Sequence, residues 1–273
     1  MLNKVEIIPT QGPTLALPFG DVFGGYLVKE ILGLSPVRAN MVSAGYAAQD
    51  GEYYQASKRD KRNLTLKLGL IPDYGANSVQ SLRDVLYRYL MPKTEVRLRF
   101  HVGENTTREI AVRVETFDSN LFAKEPEAVI NMIGFNPDFY DPVQTTVNGV
   151  TTSTGTTIPI EYVGTIDTGI QFNILANRNM SGFTIHNQVN NGLMQTLEFV
   201  EDILSGDYIQ INTNPGHKEA IRTSGAVISS ILNGVSPYAT WTKFEPGINN
   251  FRVFAEGVAV PYSVQYTAKY GGL

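Results

Sequence analysis

Carboxylates, histidines and one tryptophan are the side chains of this sequence whose types could support chemistry. Three acids lie close together at Glu198, Glu201 and Asp202, and a glycoside hydrolase needs two carboxyl groups that face each other across a cleft. Closeness in sequence does not place two carboxyls across a cleft, and the stretch after Asp202, residues 203–206, has the composition of a turn. We therefore interpret these acids as structural.

The three histidines are scattered at His101, His186 and His217. His101 falls on the charged side of an alternating segment, which favours a surface position, and His217 follows a Pro-Gly turn. Three such residues do not form one metal site. The chain has no cysteine, which excludes disulfides, iron–sulfur clusters, thiolate zinc sites and cysteine nucleophiles. The sequence predicts no bound metal.

Two features are candidates for binding. Trp241, the only tryptophan, can stack on a sugar ring if it lies on an exposed face, or fill the core of a β-sandwich, and we favour the core. The basic run Lys58–Arg62 can contact phosphates or an acidic partner, or mark the solvated start of a strand, which we favour.

Common catalytic and nucleotide-binding motifs are missing. The sequence contains no Gly-x-Gly-x-x-Gly, no Gly-x-x-x-x-Gly-Lys, no Gly-x-Ser-x-Gly and no His-Glu-x-x-His. The sequence therefore predicts no catalytic residues, no cofactor and no enzymatic activity.

Length, composition and charge indicate two globular domains. The 273 residues are 42% hydrophobic and 18% charged, which is typical of folded proteins. Residues 1–136 hold 16 Lys and Arg against 15 Asp and Glu, whereas residues 137–273 hold 6 against 11. Neither half is basic enough for a dedicated nucleic-acid binder. We find no signal peptide or membrane span in the sequence, so we expect synthesis in the cytoplasm and no membrane insertion.

The first predicted domain spans residues 1–136 and is β-rich with one helix. Apolar residues recur at helical spacing over residues 78–91, where Asn77 or Ser78 can cap the start and Pro92 ends the helix. Strict alternation over residues 95–102 and 109–115 predicts a β-hairpin with charges paired across its solvated face. Leu64, Leu66 and Leu68 predict a further strand.

A Pro-rich connector at residues 137–142 separates a second predicted domain, residues 143–273. Asn148-Gly149 between β-branched residues predicts a two-residue hairpin turn. Short strands separated by turns are predicted at residues 158–163, 169–175, 182–187, 194–200, 208–212, 220–223, 226–232, 240–244, 250–255 and 262–270. Strands of this number and length favour a β-sandwich of the jelly-roll type.

The order of these features resembles the distal tail proteins of long-tailed phages with non-contractile tails. The resemblance rests on the lone helix at 78–91, the closing segment Phe135–Tyr140 and two motifs of the second half. These motifs are a Gly-Asp-x-Ile-x-Ile-Asn-Thr strand at 206–213 and a Pro-Gly-x-Asn turn at 246–249.

The resemblance implies a mainly β fold, in which a β-sandwich or barrel-like N-terminal domain with one helix precedes a galectin-like, jelly-roll type C-terminal sandwich. It implies a homo-hexameric ring at the distal tip of the virion's tail. The ring would join the tail tube to the tip or hub, the tape measure and the receptor-binding or fibre proteins, with a lumen through which DNA passes. The family has no catalytic residues to transfer.

One alternative function remains open from the sequence. A lectin-like β-sandwich could bind host-surface polysaccharide through Trp241 or through several tyrosines on one concave face. The chain has no room for an inserted carbohydrate-binding module, and we assign no sugar-binding residue.

Overall fold

The computed structural model describes residues 2–21, 24–47, 50–120, 123–190 and 192–273. The chain divides into two units, of which the first comprises Met1–Pro142 and Gly271–Leu273 and the second Val143–Tyr270. The predicted connector, residues 137–142, and the last three residues, which we expected in the second domain, are therefore part of the first unit.

Alternating apolar residues form the strands of the first unit. Its elements are β1 Leu2–Pro9, β2 Leu15–Pro18, β3 Tyr26–Leu32, β4 Ala39–Ala44, β5 Tyr53–Arg59, β6 Arg62–Leu70, α1 Val79–Leu90, β7 Glu95–Val102, β8 Thr106–Ser119, β9 Glu127–Gly134 and β10 Phe139–Tyr140. The predicted hairpin is β7–β8, with Val96 opposite Val112 and Leu98 opposite Ile110.

One curled antiparallel sheet dominates this unit. The strand order is β2-β1-β7-β8-β9-β6-β3, and β10 adds a short pairing to β8. The edge strands β2 and β3 approach each other, so the sheet forms a half-barrel. Its enclosed face carries buried apolar side chains that include Val5, Ile7, Leu64, Leu66, Leu68, Phe100, Ile110 and Ile130.

Helix α1 covers part of this core, as the spacing of its leucines predicts. Leu82, Leu86 and Leu90 are buried, and the helix contacts β6. Ser78 caps the N-terminus, because its hydroxyl accepts a hydrogen bond from the Ser81 amide while the Ser81 hydroxyl accepts one from the Ser78 amide. No helix in the described part of the chain is long and apolar enough to cross a bilayer.

The second unit consists of short strands and turns. Its strands are β11 Thr145–Val150, β12 Ile158–Tyr162, β13 Thr168–Gly169, β14 Gln171–Leu175, β15 Phe183–Val189, β16 Met194–Phe199, β17 Tyr208–Asn212, β18 Glu219–Ser224, β19 Val227–Ser230, β20 Lys243–Phe244, β21 Gly247–Phe254, β22 Pro261–Tyr266 and β23 Lys269–Tyr270. Leu232–Gly234, at the end of a segment predicted as strand, is a short 3₁₀ helix.

Two main sheets pack face to face in this unit. One has the order β11-β22-β14-β17-β18-β19 and the other β12-β21-β15-β16. Aromatic rings from both sheets meet between them, for example Phe172 and Phe183 with ring centres 5.2 Å apart. The predicted fold class, mainly β with one helix in the first part and a sandwich in the second, is confirmed.

The hairpin predicted at Asn148-Gly149 is wrong. Strand β11 runs straight through this dipeptide, with Asn148 opposite Ser263 and Gly149 opposite Tyr262. A β-carbon on Gly149 would lie 2.5 Å from the Tyr262 ring. Glycine is thus needed here for close packing against an aromatic ring and not for a turn.

Candidate functional site

Strands β4 and β5 form a two-stranded hairpin that pairs with no other described strand. We call these two strands and the described residues between them, 39–47 and 50–59, the arm. Its register runs from Ala39 opposite Arg59 to Ala44 opposite Tyr53, with a β-bulge between Val42 and Ser43. Every residue of β5 is exposed, so no other part of the described chain covers this strand with the packed layer that a stable hairpin normally has.

The arm carries large apolar side chains on both faces. The exposed ones are Met41, Val42, Tyr46, Tyr53 and Tyr54. Because successive strand residues point to opposite faces, Met41 and Val42 lie on different sides, as do Tyr53 and Tyr54. Met41 is 68% and Tyr54 64% exposed. Exposed apolar patches are typical of interaction sites, so the arm is a candidate interaction surface.

Polar contacts fix the base of the arm. The Arg59 guanidinium forms two hydrogen bonds with the Asp138 carboxylate, one of them 3.0 Å between Nη2 and Oδ2. The Asn40 side chain donates to Asp60 Oδ1 at 2.6 Å, and the Asp60 amide donates to the carbonyl of Arg38 at 3.2 Å. The arm therefore projects from an anchored base.

The basic run Lys58–Arg62 does not form one solvated patch. Lys58 and Lys61 are exposed, but Arg59 pairs with Asp138 and Arg62 is 0% exposed. Burial lowers the pKa of the Arg62 guanidinium, and the charge of Asp138 opposes this shift. Our prediction of a solvated strand start is wrong for Arg62, whose role is structural.

Ion pairs cover the outer face of β1, β7 and β8. Glu109 is nearly fully buried between Arg97 and Arg99, with Arg99 Nε 2.7 Å from Glu109 Oε1. His101 Nε2 lies 3.1 Å from Glu6 Oε2, so His101 is half-buried beside a carboxylate. Burial raises the pKa of Glu6, but the hydrogen bonds from Lys4 and His101 outweigh it and hold this pKa below 4.5.

The three clustered acids do not converge. Glu198 is exposed on β16, opposite Thr184. Glu201 Oε2 lies 3.8 Å from an Arg222 nitrogen, and Asp202 lines a cavity of the second unit. Nothing in this arrangement pairs these three as an acid and a base.

The remaining histidines lie apart from His101. His186 Nδ1 is 3.3 Å from Thr196 Oγ1 inside the second unit, and His217 is exposed after the turn at 214–216. Within the described residues, no group of three or more His, Asp or Glu side chains is arranged to hold a metal ion.

Trp241 is partly exposed and does not fill the sandwich core, so the favoured prediction for it is wrong. The Lys218 ammonium lies 5.3 Å from the centre of its ring. The preceding residue, Thr240, donates its amide to the Thr196 carbonyl at 2.7 Å. This segment therefore runs along the edge of β16, where a tryptophan reaches solvent and a cation–π contact holds it.

Known proteins resemble this chain in sequence over one region and in fold over its whole length. Residues 163–270 match the family described as siphovirus-type tail component, C-terminal domain. The crystal structure of phage SPP1 Dit, described as a paradigm of the hub adsorption apparatus in phages that infect Gram-positive bacteria, has a TM-score of 0.70. Its identity is 16%, over 97% of this chain and 98% of that chain.

Two structures of the activated phage P2 baseplate, with Ca and with Sr, have TM-scores of 0.44 and 0.45. Both are 10% identical over the full length of both chains. A search of curated proteins finds no match. The SPP1 likeness shows a shared fold, and together with the siphovirus-type tail component match over residues 163–270 it confirms the resemblance of this chain to the distal tail proteins of siphovirus-type phages.

Proposed function

We propose that this chain is a structural hub protein at the distal end of a phage tail. Six copies form a ring that joins the tail tube to the tip or baseplate and to the receptor-binding proteins, with a lumen for the passing genome. The protein acts through its surfaces and catalyses no reaction. The tail-component match over residues 163–270 and the fold shared with SPP1 Dit support this assignment.

The arm is the observation that carries the proposal. A two-stranded hairpin alone is marginal in water, and this one exposes apolar side chains on both faces. Permanent interfaces are relatively apolar and bury about 2,000 Å² or more. The occupant that we propose is a neighbouring copy of this chain, because one head-to-tail contact repeated around an axis closes a ring and covers the arm of every copy.

The pairing of charges in the first unit fits a channel through which DNA passes. The cations of its outer face are matched by acids, as in Arg99 with Glu109 and Arg113 with Glu95. A wall with many free cations would bind phosphates and retain the nucleic acid. Paired charges would let it pass.

Light scattering with size-exclusion chromatography tests the assembly. We expect a mass of about 180 kDa, six times 30.1 kDa, for the wild-type protein at high concentration or after addition of its tail tube protein. Tyr54→Ser removes an apolar contact of the arm and should lower the fraction of hexamer by about tenfold or more.

The matched control is Tyr74→Ser, because Tyr74 is 85% exposed in the first unit but lies outside the arm. This variant should assemble like the wild type. If both variants had the same mass, the arm would not be part of the interface between copies. A wild-type mass of 30.1 kDa under both conditions would refute the ring.

A further inference from the structure

Three loops at one end of the second unit surround a cavity of about 540 Å³. They connect β14 to β15, β16 to β17 and β21 to β22. The volume lies within the range of about 300–1,000 Å³ that is usual for ligand pockets. The lining residues are Arg178, Asn179, Met180, Ser181, Gly182, Asp202, Ile203, Leu204, Glu256 and Gly257.

Hydrogen bonds hold the first two loops together. Met180 and Ile203 exchange backbone hydrogen bonds of 2.9 and 2.8 Å, and the Ser205 amide donates to Asn179 Oδ1 at 2.9 Å. Arg222 Nη1 donates to the Asp202 carbonyl at 3.2 Å. The walls of the cavity are therefore formed before any ligand arrives, which lowers the entropy cost of binding.

Arg178, in the loop between β14 and β15, forms hydrogen bonds with the loop between β21 and β22. Its guanidinium donates to the carbonyls of Val258 at 2.8 Å and Asn179 at 2.9 Å, and also to that of Glu256. A β-carbon on Gly257 would lie 3.3 Å from the guanidinium carbon. Arg178 is thus held in place by backbone acceptors at the edge of the cavity.

Two carboxylates of the lining are free to accept hydrogen bonds. The side chains of Asp202 and Glu256 are exposed and form no hydrogen bond or ion pair with the part of the chain that the structure describes. Ser181 adds an exposed hydroxyl, and Leu204, which is also exposed, adds an apolar surface. The lining thus combines strong acceptors, a hydroxyl and an aliphatic contact.

The carboxylates, the hydroxyl and the aliphatic side chain of the lining indicate which class of ligand fits the cavity. Two carboxylates repel anions, and the described residues around them do not form a metal-binding group. Neighbouring hydroxyl groups of a sugar can donate to carboxylates while the C–H face of its ring packs on an aliphatic side chain. We propose that this cavity binds one or two sugar residues of a saccharide, a role beyond assembly of the hub.

Saturation-transfer difference NMR of the full-length protein tests the proposal. The probes are glucose, galactose, mannose, rhamnose, N-acetylglucosamine and N-acetylgalactosamine, each titrated separately. We expect at least one to bind with a dissociation constant of about 1 mM or tighter. Asp202→Asn and Glu256→Gln should each weaken that binding by about tenfold.

Glu198→Gln is the matched control, because it neutralises an exposed acid of the same unit that does not line the cavity. This variant should bind like the wild type, and all variants should keep the wild-type mass by light scattering. Absence of binding for every probe would overturn the proposal. Binding that survives Asp202→Asn and Glu256→Gln but is lost in Trp241→Ala would overturn it in favour of the tryptophan.

Discussion

The guanidinium carbon of Arg62 lies 4.5 Å from the centre of the Phe139 ring, and neither side chain reaches solvent. The guanidinium donates to four backbone carbonyls of the first unit, those of Gly33, Ser35, Pro137 and Gly271. Carbonyl dipoles and an aromatic face therefore stabilise a buried cation that bonds directly to no carboxylate among the described residues.

We predict that Arg62→Met destabilises the first unit by about 3 kcal/mol or more, because several buried carbonyl oxygens lose their donor. Urea unfolding followed by hydrogen exchange over residues 62–70 measures the loss. Arg88→Met on the exposed side of α1 is the control and should change stability little. A similar small change for both variants would contradict a structural role for Arg62.

Removal of residues 271–273 should also weaken the first unit. Arg62 Nη2 loses its acceptor at Gly271, and the bond from the Leu273 amide to the Leu34 carbonyl is lost. We expect a loss of about 1–3 kcal/mol, seen as faster hydrogen exchange over residues 62–70. Trp241 lies in the second unit and is the only tryptophan, so its fluorescence transition should stay unchanged. A shift of that transition alone would argue against this explanation.

Gly149→Ala should destabilise the second unit by about 1–3 kcal/mol, since its β-carbon would overlap the Tyr262 ring. Gly155→Ala is the control, because its nearest neighbour would be 3.8 Å away at Arg252. Trp241 fluorescence during urea unfolding reports both. Equal midpoints for the two variants would show that β11 does not pack as described.

The second unit should lose stability as the pH falls below 6.5. Burial, and then the charge of Arg252, lower the pKa of His186 from its ordinary value of 6.5. The unfolded chain therefore binds a proton at a higher pH than the folded chain, so protonation favours unfolding in this window.

Replacing the imidazole of His186 tests whether its protonation causes this loss of stability. We expect His186→Asn to flatten the dependence of stability on pH between about 6.5 and 5, above the range where carboxylates titrate. Denaturant titrations followed by Trp241 fluorescence at each pH measure it. Wild-type and variant curves with the same slope in this window would exclude His186 as the cause.

Local patterns in the sequence were sufficient for helix α1 and for the β7–β8 hairpin. The helix was predicted at residues 78–91 and lies at Val79–Leu90, because leucine spacing, the cap at Ser78 and Pro92 all act within a few residues. The hairpin follows from alternation and a short turn. In both cases the information is contained in neighbouring residues.

Long-range packing decided the features that were predicted wrongly. Asn148-Gly149 favours a turn, but six consecutive residue pairs with β22 hold it in a strand. The acceptors of Arg62 come from segments 27 to 209 residues away, so a basic run gave no sign of its burial. Trp241 is one residue from buried Thr242, and only the path of the chain along β16 leaves the Trp241 side chain partly exposed.

The amino-acid order by itself determined the mainly β fold class, the lone helix and the absence of thiol chemistry, because these depend on residue type and short-range periodicity. It did not reveal the arm, since alternation cannot show whether any layer covers a hairpin. It also did not reveal the cavity beside Asp202, which exists only where three loops separated in sequence meet. Exposure and convergence arise from contacts between distant segments, and only the tertiary structure decides them.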